Sequence, residues 1–157
     1  MSKVITAKAN EVFRIMDQIF DYEKTSWVVV TGMSMFPFLR EDIDMVEMAR
    51  TKLINIKKGD IVLVQRQNGE FVLHRVCKKN TCNIFLVGDA QQWIEGPIFE
   101  DQLKAVVVSI KRNNKVISCN NFFLKFLIFL WMTVRPIRYK LFKVYTFWRN
   151  IFDEFGK

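Results

Sequence analysis

The sequence predicts a mainly β domain, a small antiparallel barrel or sandwich, set between an N-terminal amphipathic helix and a C-terminal helical tail. Three observations lead there. Short apolar runs rich in β-branched residues recur between turn signals, at spacings of about 8–12 residues. Ahead of them, Val12, Phe13, Ile15, Met16, Ile19 and Phe20 share one helical face, with Asn10, Arg14, Asp17 and Gln18 opposite. After Asn120-Asn121 the composition changes. Residues 122–157 hold 7 basic and 2 acidic side chains and 12 of the 22 aromatics, whereas residues 1–121 hold 17 basic and 14 acidic. We therefore divide the chain into a helix (1–24), a β domain (25–119) and a basic aromatic tail (120–157).

The strands follow in order. Trp27 to Thr31 is β-rich and ends at Gly32; Asp44 to Met48 alternates weakly. Lys57-Lys58-Gly59-Asp60 is a turn signal before Ile61-Val62-Leu63-Val64, a continuous apolar strand. Asn68-Gly69 marks a hairpin whose return strand is Phe71 to Val76. Ile84 to Val87 is the next strand, closed by Gly88-Asp89. Gln91 to Gln102, with Gly96-Pro97, reads as an irregular loop. Ala105 to Ile110 and Val116 to Ser118 flank a turn at Asn113-Asn114.

Composition excludes several classes. The chain has 157 residues, half of them apolar, which is enough for one domain with its own core. Three cysteines (Cys77, Cys82, Cys119) with no CxxC spacing argue against a disulfide scaffold or structural zinc. A single histidine argues against most metalloenzyme designs, and no metal or cofactor is expected. Acidic residues interrupt the first 24 positions, so no cleavable signal peptide is expected. The apolar stretch Phe122 to Val134 reaches only about 20 Å as a helix, short of the roughly 30 Å hydrocarbon core. Beyond it, cations and aromatics interleave from Tyr139 to Arg149, a mixture suited to an anionic membrane surface. Packing on the body or on another chain is the competing reading. No nucleic-acid fold signature accompanies the charge, and no nucleic-acid partner is expected.

One constellation carries chemistry. Gly32-Met33-Ser34-Met35-Phe36-Pro37 follows a strand directly, which would hold Ser34 on a tight turn. A serine in such a turn is ordinarily just a turn residue. Further along come Lys58-Gly59-Asp60-Ile61-Val62, His74-Arg75-Val76 and Gly88-Asp89. A serine hydroxyl needs a base within hydrogen-bond reach, and a histidine suits that work near neutral pH.

In that order, the boxes G-M-S-M-x-P, K-G-D-I-V, H-R-V and G-D resemble the signal peptidase I and SOS-repressor superfamily of serine endopeptidases, over roughly Trp27 to Lys111. H-R-V is similar to the endoplasmic-reticulum and archaeal type, in which histidine replaces lysine as base, whereas Gly-Met-Ser-Met is closer to the repressor branch. The resemblance implies Ser34 as nucleophile and His74 as general base, on a signal peptidase-like β scaffold. Asp89 is the favoured orienting carboxylate and Glu95 the second choice. Gly32, Met35 and Pro37 support the turn. Many signal peptidases carry a hydroxyl side chain where this chain has Gly32, so the Ser34 N–H is the candidate oxyanion donor. Lys57 and Lys58 are expected to face solvent, and Arg75 either does so or anchors a carboxylate.

Neither the transmembrane helix of typical signal peptidases nor the DNA-binding domain of the repressors is expected before Ser34. The expected setting is then cytoplasmic and peripheral at the membrane through residues 122–157. The substrate would be a precursor peptide or protein with an N-terminal leader. A non-catalytic module that holds such a precursor in the same groove is the alternative. A structural protein that binds membrane or nucleic acid through its basic tail is a third.

Overall fold

The computed structural model describes residues 24–135. The expected N-terminal helix, and the part of the tail after Arg135, lie outside the described residues. The described chain is mainly β. Eight antiparallel strands are β1 (Thr25–Val29), β2 (Met45–Ala49), β3 (Ile61–Gln65), β4 (Phe71–Lys79), β5 (Ile84–Val87), β6 (Glu95–Ile98), β7 (Leu103–Arg112) and β8 (Lys115–Ser118). One helix, α1 (Phe122–Thr133), follows.

The strands form one sheet in the order β1-β2-β7-β3-β4-β5-β6, with β8 also paired to β7. This corrects the expectation of a barrel: β1 and β6 end the sheet on opposite sides and do not pair, so it stays open. The physical reason lies in β3. Its run Ile61-Val62-Leu63-Val64 is buried throughout. Ile61 and Leu63 join a core with Val46, Met48, Ala105 and Val107, while Val62 and Val64 join another with Val76, Ile84, Leu86 and Ile98. A strand buried on both faces reads as continuous apolar sequence, and each such side chain contributes about 1.5–3 kcal/mol.

The segment Gln91 to Gln102 is not wholly irregular, because it contains β6. That strand is the sheet's edge, where Pro97 need not donate to a further neighbour. Gly96 is required there. Its φ is +143°, and a Cβ would stand 3.0 Å from the Ile84 carbonyl and 3.2 Å from Phe85 Cα.

The loop between β1 and β2 carries Ser34 and is pinned from both sides. Met35 and Leu39 are buried in the Ile61 core. Asp44, fully buried, accepts from Arg112 Nη2 at 2.6 Å and from the Arg40 backbone N–H at 2.8 Å. Arg112 also donates to the Phe38 carbonyl at 2.8 Å. Burial alone would raise the Asp44 pKa, but the hydrogen bonds from Arg112 and Arg40 outweigh it and hold the carboxyl below its ordinary value.

Helix α1 begins at Asn121, whose side chain accepts from the Leu124 N–H at 3.1 Å. Leu124 packs on the Ile61 core. The far end is tied to the stretch after β5: Trp131 Nε1 donates to the Asp89 carbonyl at 3.1 Å, and Arg135 Nη2 to the Gln92 carbonyl at 2.7 Å. Among the described residues, no helix is long and apolar enough to cross a membrane.

Candidate functional site

Two carboxylate centres lie side by side near the ends of β4 and β5, and they divide the candidate residues between them. On β4, His74 pairs in register with Val62 and Arg75 with Ile61. Since successive residues alternate faces, His74 and Arg75 point to opposite sides of the sheet.

His74 is 3 % exposed. Its Nδ1 lies 3.4 Å from Glu95 Oε2, an ion-pair distance, and among the described residues Nδ1 has no hydrogen-bond partner. Glu95 is held by Arg66 in a two-pronged pair, Nε to Oε1 at 2.5 Å and Nη2 to Oε2 at 2.7 Å. Arg66 also reaches Glu70 at 2.7 Å. The Arg66 hydrogen bond pulls the Glu95 pKa down, against burial, so Glu95 stays ionised. Burial lowers the His74 pKa below its ordinary 6.5, outweighing the opposing pull of the Glu95 charge. The imidazole is therefore neutral at neutral pH, the form that can accept a proton.

Asp89 belongs to the other centre. Its carboxylate accepts from Arg75 Nε at 2.8 Å and from Nη2 at 2.6 Å, and both residues are fully buried. Arg75 Nη1 also donates to the Gly59 carbonyl at 2.7 Å, and its guanidinium lies 5.1 Å from the Phe38 ring centroid. Arg75 thus anchors a carboxylate, and the turn at Gly59-Asp60 serves it through the backbone. Lys57 and Lys58 are exposed. Asp89 still lies near enough to His74 for its charge to favour the imidazolium.

Ser34 is half-buried. Its carbonyl accepts from the Ala90 N–H at 2.9 Å, which staples the serine loop to the end of β5. Gly88 makes that approach possible, because a Cβ there would lie 2.7 Å from the Ser34 carbonyl oxygen. Gly32 has φ +81° and donates its N–H to Glu41 Oε1 at 2.8 Å. Met35 is core, and Pro37 follows a cis peptide bond. Among the described residues the Ser34 N–H has no hydrogen-bond acceptor. Among those same residues, no hydrogen bond joins Ser34 Oγ to His74. The serine loop meets the end of β5 through the Ala90 N–H, and on β4 it is Arg75, the neighbour of His74, that pairs in register with Val87 of β5.

Arg66 was not among the residues singled out in the sequence. Its signal was the hairpin: Asn68-Gly69 brings Arg66 and Glu70 together, with the Arg66 N–H donating to the Glu70 carbonyl at 2.8 Å. The contact with Glu95 depends on β6, which the sequence concealed. Among the described residues, no group of histidine, cysteine and carboxylate side chains could hold a metal ion. No family model, curated protein or solved structure matches this chain.

Proposed function

We propose that the chain is a serine endopeptidase that removes a leader or signal segment from a precursor peptide, with Ser34 as nucleophile, His74 as general base and Glu95 as the carboxylate that orients the base. The observation that carries the reading is the Arg66–Glu95–His74 arrangement: an ionised carboxylate, fixed from behind, 3.4 Å from Nδ1 of a buried imidazole. A carboxylate on one ring nitrogen sets the tautomer and leaves the other to take a proton.

In the proposed reaction, Ser34 Oγ attacks the scissile carbonyl carbon and His74 Nε2 takes the hydroxyl proton. The oxyanion accepts from the Ser34 N–H. The imidazolium then gives its proton to the departing amine, leaving an acyl-serine ester. Water attacks the ester, its proton passes to His74, and the carboxylic product leaves as Ser34 is re-protonated. The substrate docks as an extended strand, main-chain bonds supplying affinity and small pockets selectivity. The apolar face of α1, with Phe122 85 % and Phe129 65 % exposed, and the basic residues that follow it hold the protein at an anionic membrane surface.

The missing Ser34–His74 hydrogen bond favours a second reading, a module that holds the precursor without cutting it. One experiment separates the two. A library of extended peptides is incubated with the wild-type chain, Ser34→Ala and His74→Ala, and products are read by mass spectrometry. The peptidase reading expects cleavage that falls at least about a thousandfold in both variants. Undiminished cleavage by Ser34→Ala overturns it. Binding without cleavage, equal in all three proteins, supports the module.

A further inference from the structure

Helix α1 is apolar apart from Lys125 and Thr133, yet none of its residues is buried. A helix of that composition ordinarily has apolar cover all round. Between α1 and the sheet lies a cleft of about 600 Å³, within the usual size of a small-ligand site. Phe38, Ile61, Ile110, Leu124, Ile128 and Met132 supply apolar walls, and Cys119 lies among them. Burial pushes the Cys119 thiol up to about 11, as apolar surroundings do. Three exposed cations, Lys57, Lys58 and Lys125, border the cleft together with Arg135. Its one carboxylate among the described residues, Asp60, accepts from the Lys57 backbone N–H at 2.7 Å, so the cations at the rim outnumber it.

We propose that this cleft binds one long-chain fatty acid, the alkyl chain between α1 and the sheet and the carboxylate among Lys57, Lys58 and Lys125. Apolar walls under a cationic rim match an anionic amphiphile on both counts. The same charge disfavours the chain's own C-terminal segment as occupant. Residues 136–157 hold 5 basic and 2 acidic side chains, so they would bring like charge to the rim. The site is separate from the peptidase reading and does not depend on it: Arg75, which also borders the cleft, is committed to Asp89 and the Gly59 carbonyl.

The test uses the full chain, without vesicles, and fatty acid below its micelle concentration. A fluorescent long-chain fatty acid should bind saturably and one-to-one, and palmitate should displace it. The methyl ester of palmitate should compete at least tenfold more weakly, as should palmitate on the Lys58→Glu/Lys125→Glu protein. In the wild-type chain, palmitate should slow modification of Cys119 by a small uncharged thiol reagent at least tenfold. Cys82, which is exposed, should react at an unchanged rate. Absence of saturable binding, equal competition by the methyl ester, or an unprotected Cys119 would each overturn the proposal. If the double variant does not fold, the wild-type cysteine protection decides alone.

Discussion

Glu95 and Asp89 are both carboxylates beside β4, and their different partners give them different work. Glu95 faces His74 and should tune its titration. The chain's only histidine makes this measurable by NMR without any substrate. His74 should titrate below 6.5, and Glu95→Gln should move it lower still, because the charge that favours the imidazolium is gone while Arg66 remains. An unchanged or raised pKa would show that Glu95 does not act on the ring. The sign for stability follows. A folded-state pKa depressed below the unfolded 6.5 means that the unfolded chain takes up its proton first. This contribution is complete above pH 6.5 and is lost as the pH falls through the folded value. Asp89 has a structural partner instead. Asp89→Asn leaves Arg75 buried without its counter-charge and should cost about 3–5 kcal/mol. Chemical denaturation measures it, and a cost below about 1 kcal/mol would show that the pair is not what holds this end of the sheet.

At the scale of elements, the strands nearest the centre were the legible ones. Asn68-Gly69 announces the β3–β4 hairpin, and Ile84–Val87 is the strand the sequence marks out. The β3 run is unambiguous because both of its faces are buried. β6 was hidden because Gly96-Pro97 looks like a breaker, and only its edge position makes those residues acceptable. Asp89 ranked above Glu95 because it stands in the Gly88-Asp89 box, and with β6 hidden nothing in the sequence set Glu95 beside Arg66. Periodicity also cannot distinguish a closed barrel from an open sheet packed on both faces, which is why the barrel expectation failed. Gly96→Ala tests the dependence of Glu95 on this strand. A Cβ pressed against the Ile84 carbonyl at a φ of +143° should strain the β5–β6 pairing, at a cost of about 1–3 kcal/mol. As Glu95 is displaced, the His74 pKa should fall as it does in Glu95→Gln. A variant with wild-type stability and an unchanged His74 titration would show that β6 does not position Glu95.

Across the whole molecule, the candidate site occupies the less secure border of a well-secured sheet. β3 lies between β4 and β7, and its side chains fill both cores. β6 has one neighbour, two register pairs and an irregularity between Ile84 and Leu86. Local opening free energy follows buried apolar contact and paired backbone, so the two regions should open independently. Amide hydrogen exchange on the folded chain should be slowest at Val62–Val64 and at Ala105–Val107, where opening requires both cores to separate. The amides of β6 should exchange at least about a hundredfold faster, by an opening that leaves β3 closed. Arg66 lies just past β3, on the better-secured side of the site, and Glu95 on the looser one. Each opening of β6 would therefore part Glu95 from both Arg66 and His74. Lowering the pH toward the range in which Glu95 takes a proton weakens the Arg66 pair, whose strength is what depresses that pKa. Exchange in β6 should then quicken before exchange in β3 does. If β6 and β3 exchange at one rate at every pH, the sheet opens as a single unit and the carboxylate beside His74 is as fixed as the core.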